Sequence, residues 1–184
     1  MRIIGEKIII RDVKYDDVDD FFEYCGNEEV GKNAGWKPIK SKEIATRVIA
    51  GYVLGNETYA IALKESNKFI GTFCIYNTCL RKYQKVRQIG FSLSNYYWNK
   101  GIMTDACKIV IDYLFNKTDC EVIEVGHHAG NYASKRVIEK CGFLFDGRLC
   151  KYKRLYDGTL VDADFYSLTS EDYERMKKYE EFKR

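Results

Sequence analysis

One stretch constrains this chain more than any other. It is Ile89-Gly90-Phe91-Ser92-Leu93-Ser94-Asn95-Tyr96-Tyr97-Trp98-Asn99-Lys100, running into a helical pattern from Gly101 to Phe115. Apolar residues at Val86, Ile89, Phe91 and Leu93 mark a strand over Lys85 to Ser94. Within a few residues the period changes. Met103, Ala106, Cys107, Val110 and Leu114 share one helix face, and Ile102, Ile109 and Tyr113 widen it. The first turn of such a helix has unpaired backbone N–H groups at the positive end of its dipole, so it can hold a phosphate. Gly101 lets the backbone approach an anion closely, and Lys100 adds a positive charge. The same unit also reads as an ordinary strand-to-helix turn that binds nothing. It is neither a Gly-x-x-x-x-Gly-Lys-Ser/Thr phosphate loop nor a Gly-x-Gly-x-x-Gly dinucleotide fingerprint.

The rest of the chain supplies a sheet for this unit. Lys7 to Arg11 reads as a strand. Val18, Phe21, Phe22 and Cys25 mark an amphipathic helix, with Asp16 and Asp17 in its first turn. Gly31, Gly35, Trp36 and Pro38 lie in a segment read as irregular. Ser41 is an N-cap for a helix with Ile44, Ala45, Val48, Ile49 and Tyr52 on one face. Thr58 to Leu63, Phe69 to Tyr76 and Lys85 to Ser94 then form an antiparallel meander. After the long helix come a short buried strand, Val122 to Val125, and a helix from Ala133 to Cys141 stopped by Gly142. Asp157-Gly158 joins a hairpin of Gly147 to Tyr156 and Val161 to Thr169. A charged helix starts at Glu171. The expected order is β-α-α-β-β-β-α-β-α-β-β-α, a mixed α/β sheet protein in a single domain over 1–184.

Composition narrows the function. The chain has 184 residues, 30 basic against 27 acidic, for a net charge of +3. A dedicated nucleic-acid binder usually carries a strongly basic face, so that class is disfavoured. No stretch approaches the roughly 20 apolar residues that span a bilayer, and Met1 to Lys7 does not read as a secretory signal. Seven cysteines, with no Cys-x-x-Cys pair, read as reduced thiols in a cytoplasmic protein rather than as a disulfide framework or a zinc site. No metal is expected.

A second segment sharpens the reading: Asn131-Tyr132-Ala133-Ser134-Lys135-Arg136-Val137-Ile138-Glu139-Lys140-Cys141-Gly142-Phe143. Asn131 reads either as a plain N-cap or, three residues before Ser134 on one helix face, as half of a polar pair facing the first motif. Both segments resemble the GNAT N-acetyltransferase superfamily, in particular its RimJ/RimL-type branch. Tyr97-Trp98-Asn99-Lys100-Gly101-Ile102-Met103-Thr104-Asp105-Ala106 is similar to the branch motif Y-W-G-K-G-Y-A-T-E-A. Asn131 to Phe143 is similar to its N-x-x-S-x-x-x-x-E-K-x-G-F. The likeness runs from Ile8 to about Thr169.

That resemblance implies the GNAT fold: a mixed central sheet, flanked by helices, whose two parallel strands splay apart to admit acetyl-CoA. It implies that backbone groups of Phe91, Ser92 and Leu93 pair with the pantetheine arm. The turn from Trp98 through Asn99, Lys100, Gly101, Ile102 and Met103 to Thr104 would hold the pyrophosphate. Asn131 and Ser134 would bond the pantetheine or position the thioester. The acceptor is a primary amine, of a protein N-terminus or a small molecule such as a diamine or aminoglycoside, and it attacks the thioester directly. A CoA-binding module without turnover is the rival reading. The active unit would be a monomer or a homodimer.

The departures define what to look for. Asn99 and Met103 replace small residues of the branch motif, and neither is expected to need a positive φ. Ile138 stands where many GNAT enzymes carry a tyrosine acid, which leaves Ser134 to assist the departing thiolate. Glu57, Glu28 and Glu29 are candidate bases for the acceptor, or solvated surface carboxylates. His127 and His128, adjacent on a strand, should point to opposite faces. Trp36 either lines the acceptor pocket or packs in the core.

Overall fold

Apolar runs separated by short turns pair with their neighbours in sequence, and this builds most of the sheet. The computed structural model describes residues 1–77 and 80–183. Its strands are β1 (Arg2–Ile4), β2 (Ile8–Asp12), β3 (Thr58–Leu63), β4 (Phe69–Tyr76), β5 (Val86–Leu93), β6 (Val122–His128), β7 (Leu144–Arg154) and β8 (Leu160–Thr169). Its helices are α1 (Val18–Cys25), α2 (Glu28–Ala34), α3 (Lys42–Gly55), α4 (Ile102–Lys117), α5 (Tyr132–Lys140) and α6 (Ser170–Phe182). The eight strands form one sheet in the order β1-β2-β3-β4-β5-β6-β8-β7. All neighbours run antiparallel except β5 and β6.

That single parallel pair makes the opening. The β5–β6 register runs from Val86↔Val122 only as far as Ile89↔Val125. Beyond it β5 continues to Leu93 against β4, while β6 continues to His128 against β8. From Gly90 and Gly126 onward each strand therefore keeps one partner, and the space between them is a V. Two cores hold the V in place. On one face Ile89, Ile123 and Val125 pack beneath Ala106, Cys107 and Val110 of α4 and Ile138 of α5. On the other, Phe21 and Tyr24 of α1 pack with Ala45 and Ile49 of α3 over Ala60 and Phe69.

The sequence reading differs at three places. A three-residue strand, β1, pairs with β2 as a hairpin edge, too short to leave a pattern. The segment read as irregular contains α2. Its seven residues include Gly31, which hides any apolar period, yet Asn27 accepts from the N–H groups of Glu29 and Val30 as an N-cap. Strand β6 runs three residues past Val125, because Gly126, His127 and His128 pair with β8 although they end the apolar run. The Ser41 N-cap is present, with its side chain accepting from the Ile44 N–H. Cys79 lies outside the described residues; the other cysteines are free thiols.

Candidate active site

The V opens into a cleft of about 490 Å³. Phe91, Ser92, Leu93, Trp98, Asn99, Gly101, Ile102, Met103, Thr104, Asn131 and Ser134 all line it. Two of the residues singled out above do not. Lys100 turns its ammonium over the Tyr97 ring, 5.6 Å from the centroid. Trp36 packs edge-on against Tyr24 in the core, with its indole N–H buried and without a partner.

The floor of the cleft is the start of α4. Gly101 is its N-cap residue, at φ 76°, and no side chain caps the helix. The first intrahelical bond runs from the Asp105 N–H to the Gly101 carbonyl, 3.0 Å. The N–H groups of Ile102, Met103 and Thr104 precede it, and these three residues face the cleft. A Cβ built on Gly101 would meet nothing within 4 Å, so glycine is there for its left-handed backbone and not for want of room. Asn99 corrects the expectation that it needs no positive φ: it sits at φ 58°. Asparagine is among the few residues that adopt this region readily, which is why the motif tolerates it where relatives carry glycine. Arg136 and Lys140, four apart on α5, bring two cationic side chains to the cleft's wall. Their i, i+4 spacing was visible in the sequence, but nothing marked which face of α5 would meet α4.

The strand wall presents backbone. The Ser94 N–H donates to the Ile70 carbonyl at 2.8 Å, so by alternation Ser92 turns its backbone to β4, and Phe91 and Leu93 turn theirs to the opening. The Trp98 indole N–H donates to the Leu93 carbonyl at 2.8 Å. Trp98 thus fixes the edge of β5 as well as lining the cleft.

The third wall is α5 with α2 leaning across it. The Asn131 amide oxygen accepts from the Ser134 N–H at 3.1 Å, the N-cap bond. Its amide nitrogen donates to the Asn33 carbonyl at the end of α2, 2.9 Å. Both readings of Asn131 therefore meet in one residue, a cap that also lines the cleft. Among the described residues the Ser134 hydroxyl makes no hydrogen bond, and Ser134 faces the cleft. Ile138 does not share that outlook. It is fully buried in the core, and Val137 takes the cleft side instead. Four residues advance a helix by slightly more than one turn, which carries Ile138 inward.

Glu57, Glu28 and Glu29 are not among the lining residues; Glu28 is exposed and pairs with Lys40. The two histidines do point to opposite faces. His127 is buried, stacked on Tyr166, with Nδ1 donating to the His128 carbonyl. His128 lies against Gly35, the left-handed residue that ends α2; a Cβ there would collide with the imidazole. Burial, and then the charge of Lys153, hold the His128 pKa below its ordinary value. The unfolded chain therefore takes up this proton first as the pH falls below about 6.5. The contribution of His128 to stability is complete above that pH and is lost below it. Tm should decline from pH 7 toward pH 5, and His128→Asn should make that decline shallower; equal slopes would show that the ring is solvated in both states.

Among the described residues no group of three His, Cys, Asp or Glu side chains is placed to hold a metal, and no helix is long and apolar enough to cross a membrane.

A mixed sheet split at one parallel pair, with an uncapped helix start at the mouth of the split, is the architecture of an N-acetyltransferase. The model of the acetyltransferase (GNAT) domain matches residues 7–144. The chain is 26% identical over 173 residues to the uncharacterized N-acetyltransferase p20 of Bacillus licheniformis, covering 91% of this chain and 96% of that one. Its fold matches the GNAT-family acetyltransferase from Bacillus anthracis with a TM-score of 0.82 at 22% identity, over 93% of this chain and 99% of that one. It also matches RimL, the ribosomal L7/L12 α-N-protein acetyltransferase solved with coenzyme A, with a TM-score of 0.78 at 16% identity, over 92% and 98% of the two chains. The chain belongs to the GNAT acetyltransferase family, whose acyl donor is acetyl-CoA.

Proposed function

We propose that this enzyme transfers acetyl from acetyl-CoA to a primary amine by direct attack in a ternary complex, as a RimJ/RimL-type protein N-terminal acetyltransferase. One observation carries the proposal: a single cleft combines unpaired N–H groups at a helix start with an open strand edge. The first suits a diphosphate, and the second suits the amide-bearing pantetheine arm, which can pair as a strand would. Ile102, Met103 and Thr104 hold the diphosphate through backbone N–H groups, and Gly101 keeps that approach clear. Arg136 and Lys140 add charge for the remaining phosphate. Phe91 and Leu93 receive the pantetheine amides. Asn131 orders the start of α5, and the Ser134 hydroxyl donates to the sulfur as charge develops on it. The branch motif at Tyr97–Ala106 and the one at Asn131–Phe143 support a protein N-terminus as acceptor, the substrate named for RimL. The chain acts as one domain over residues 1–184, in the cytoplasm, as a monomer or homodimer, and without nucleic acid, membrane or metal.

The test is binding and then turnover. Acetyl-CoA at a hundredfold excess over its dissociation constant stabilises the folded state by about 2.7 kcal/mol. For a domain of this length that raises Tm by about 5–10 °C. Thiol release should follow with peptides bearing a free N-terminus and stop when that terminus is blocked. No Tm shift at millimolar acetyl-CoA would overturn the proposal. Turnover on diamines or aminoglycosides alone would move the acceptor to the small-molecule class.

A further inference from the structure

Three buried hydroxyls close a triangle behind β5, and none of them belongs to the motifs above. The Tyr24 phenol on α1 is hydrogen-bonded to Thr72 Oγ1 at 3.1 Å and to Ser92 Oγ. Thr72 and Ser92 are hydrogen-bonded to each other at 2.7 Å, and they are register partners across β4 and β5. All three residues are buried. The Tyr24 ring is gripped by Phe21, Trp36 and Phe69. Burial pushes the phenol pKa up, and the bonds to Ser92 and Thr72 offset this only in part, so the phenol keeps its proton and donates.

Stability alone gives no reason for the triangle. Replacing mutually bonded buried hydroxyls by apolar groups of similar shape is close to neutral, and Ala60 and Phe69 nearby show that this face accepts apolar side chains. Its position does give a reason. Ser92 lies beyond Ile89, where β5 has already lost β6, so the strand is held edgewise by β4 alone. Trp98 fixes one point, the Leu93 carbonyl. The triangle fixes the residue between Phe91 and Leu93, and it does so from α1, whose Tyr24 also carries Trp36 and the chain leaving α2.

We propose that Tyr24 is a positioning residue for acyl transfer, holding through Ser92 and Thr72 the stretch of β5 that presents Phe91 and Leu93 to the acyl donor. This rests on the reading that acetyl-CoA lies along β5. Misplacing a reacting centre by a fraction of an ångström costs rate more than binding, because the donor's phosphates anchor it elsewhere.

Tyr24→Phe removes the hydroxyl and keeps the ring, and the Thr72–Ser92 bond survives. The expected result is a kcat lower by about tenfold, with the KM for acetyl-CoA changed less than about threefold. Without any ligand, amide hydrogen exchange over Phe91–Ser94 should quicken while the β2 and β3 amides hold their rates. Ser92→Ala should reproduce both effects, and the double variant should add little to either single one. Wild-type exchange over Phe91–Ser94 in both variants would overturn the proposal, as would a Tm loss with kcat unchanged. The exchange measurement stands even where the wild-type protein gives no turnover, which would count against the acetyl-CoA reading instead.

Discussion

Gly101→Glu is expected to weaken CoA binding by at least tenfold and to leave the fold intact. Gly101 is left-handed at φ 76°, so any L side chain there costs about 1–2 kcal/mol. A carboxylate at the positive end of α4 returns about 0.3–1 kcal/mol, and the space around the missing Cβ is open. The net loss of about 1 kcal/mol lowers Tm by only a few degrees in a chain of this length. Binding suffers far more. The new charge sits where Ile102, Met103 and Thr104 offer their N–H groups, and two like charges about 4 Å apart near a protein surface repel by about 4 kcal/mol before solvent screening reduces it. Tenfold is about 1.4 kcal/mol, a fraction of that repulsion. Gly101→Ala separates the causes, since it carries the same backbone strain without the charge. Isothermal titration with CoA should place Gly101→Ala within about threefold of wild type and Gly101→Glu well beyond it. Equal losses would assign the effect to backbone strain, and equal affinities would put the diphosphate elsewhere.

Why that turn was legible in sequence, and other parts were not, follows from how each is built. A strand, a turn and a long amphipathic helix leave a change of period that a linear reading can see, and Gly101 stands at the joint. The splay could not be read from spacing. It depends on which strand β5 meets after a long crossover, and it entered the sequence reading only through the family motifs. Helix α2 escaped because a short helix with an internal glycine carries no periodic stripe. It is held from outside, by the Asn33–Asn131 bond and by His128 over Gly35. Tyr24 escaped for the opposite reason. It lies within a helix whose apolar spacing was plain, but its hydroxyl acquires meaning only when Thr72 and Ser92, far along the chain, arrive beneath it. Lys100 shows the limit of reading charge from sequence. A lysine in a phosphate-binding motif was assigned to the phosphate, and its flexible stem places the ammonium over Tyr97.

Ser134→Ala is expected to lower kcat by about 10²-fold while the KM for acetyl-CoA moves less than about threefold, the pattern of a donor that acts only as charge develops on the leaving sulfur. Ser134 is the third residue of α5, and its backbone N–H, not its hydroxyl, carries the cap bond to Asn131. Alanine keeps that bond and has the best helix propensity, so Tm should be unchanged and the loss of rate can be read as chemistry. No other residue on that side of α5 offers a proton. Ile138 is buried in the core, and Val137, which faces the cleft, has nothing to donate. A coenzyme thiol has a pKa near the ordinary cysteine value of about 8.5, so the thiolate is a moderate leaving group and needs stabilisation more than full protonation. A serine hydroxyl, far too weak an acid to give up its proton at neutral pH, supplies that stabilisation as a fixed hydrogen bond. Steady-state kinetics paired with a CoA titration decide the matter. A variant that keeps kcat and loses CoA affinity would make Ser134 a binding residue for the pantetheine, and the departing sulfur would then take its proton from water.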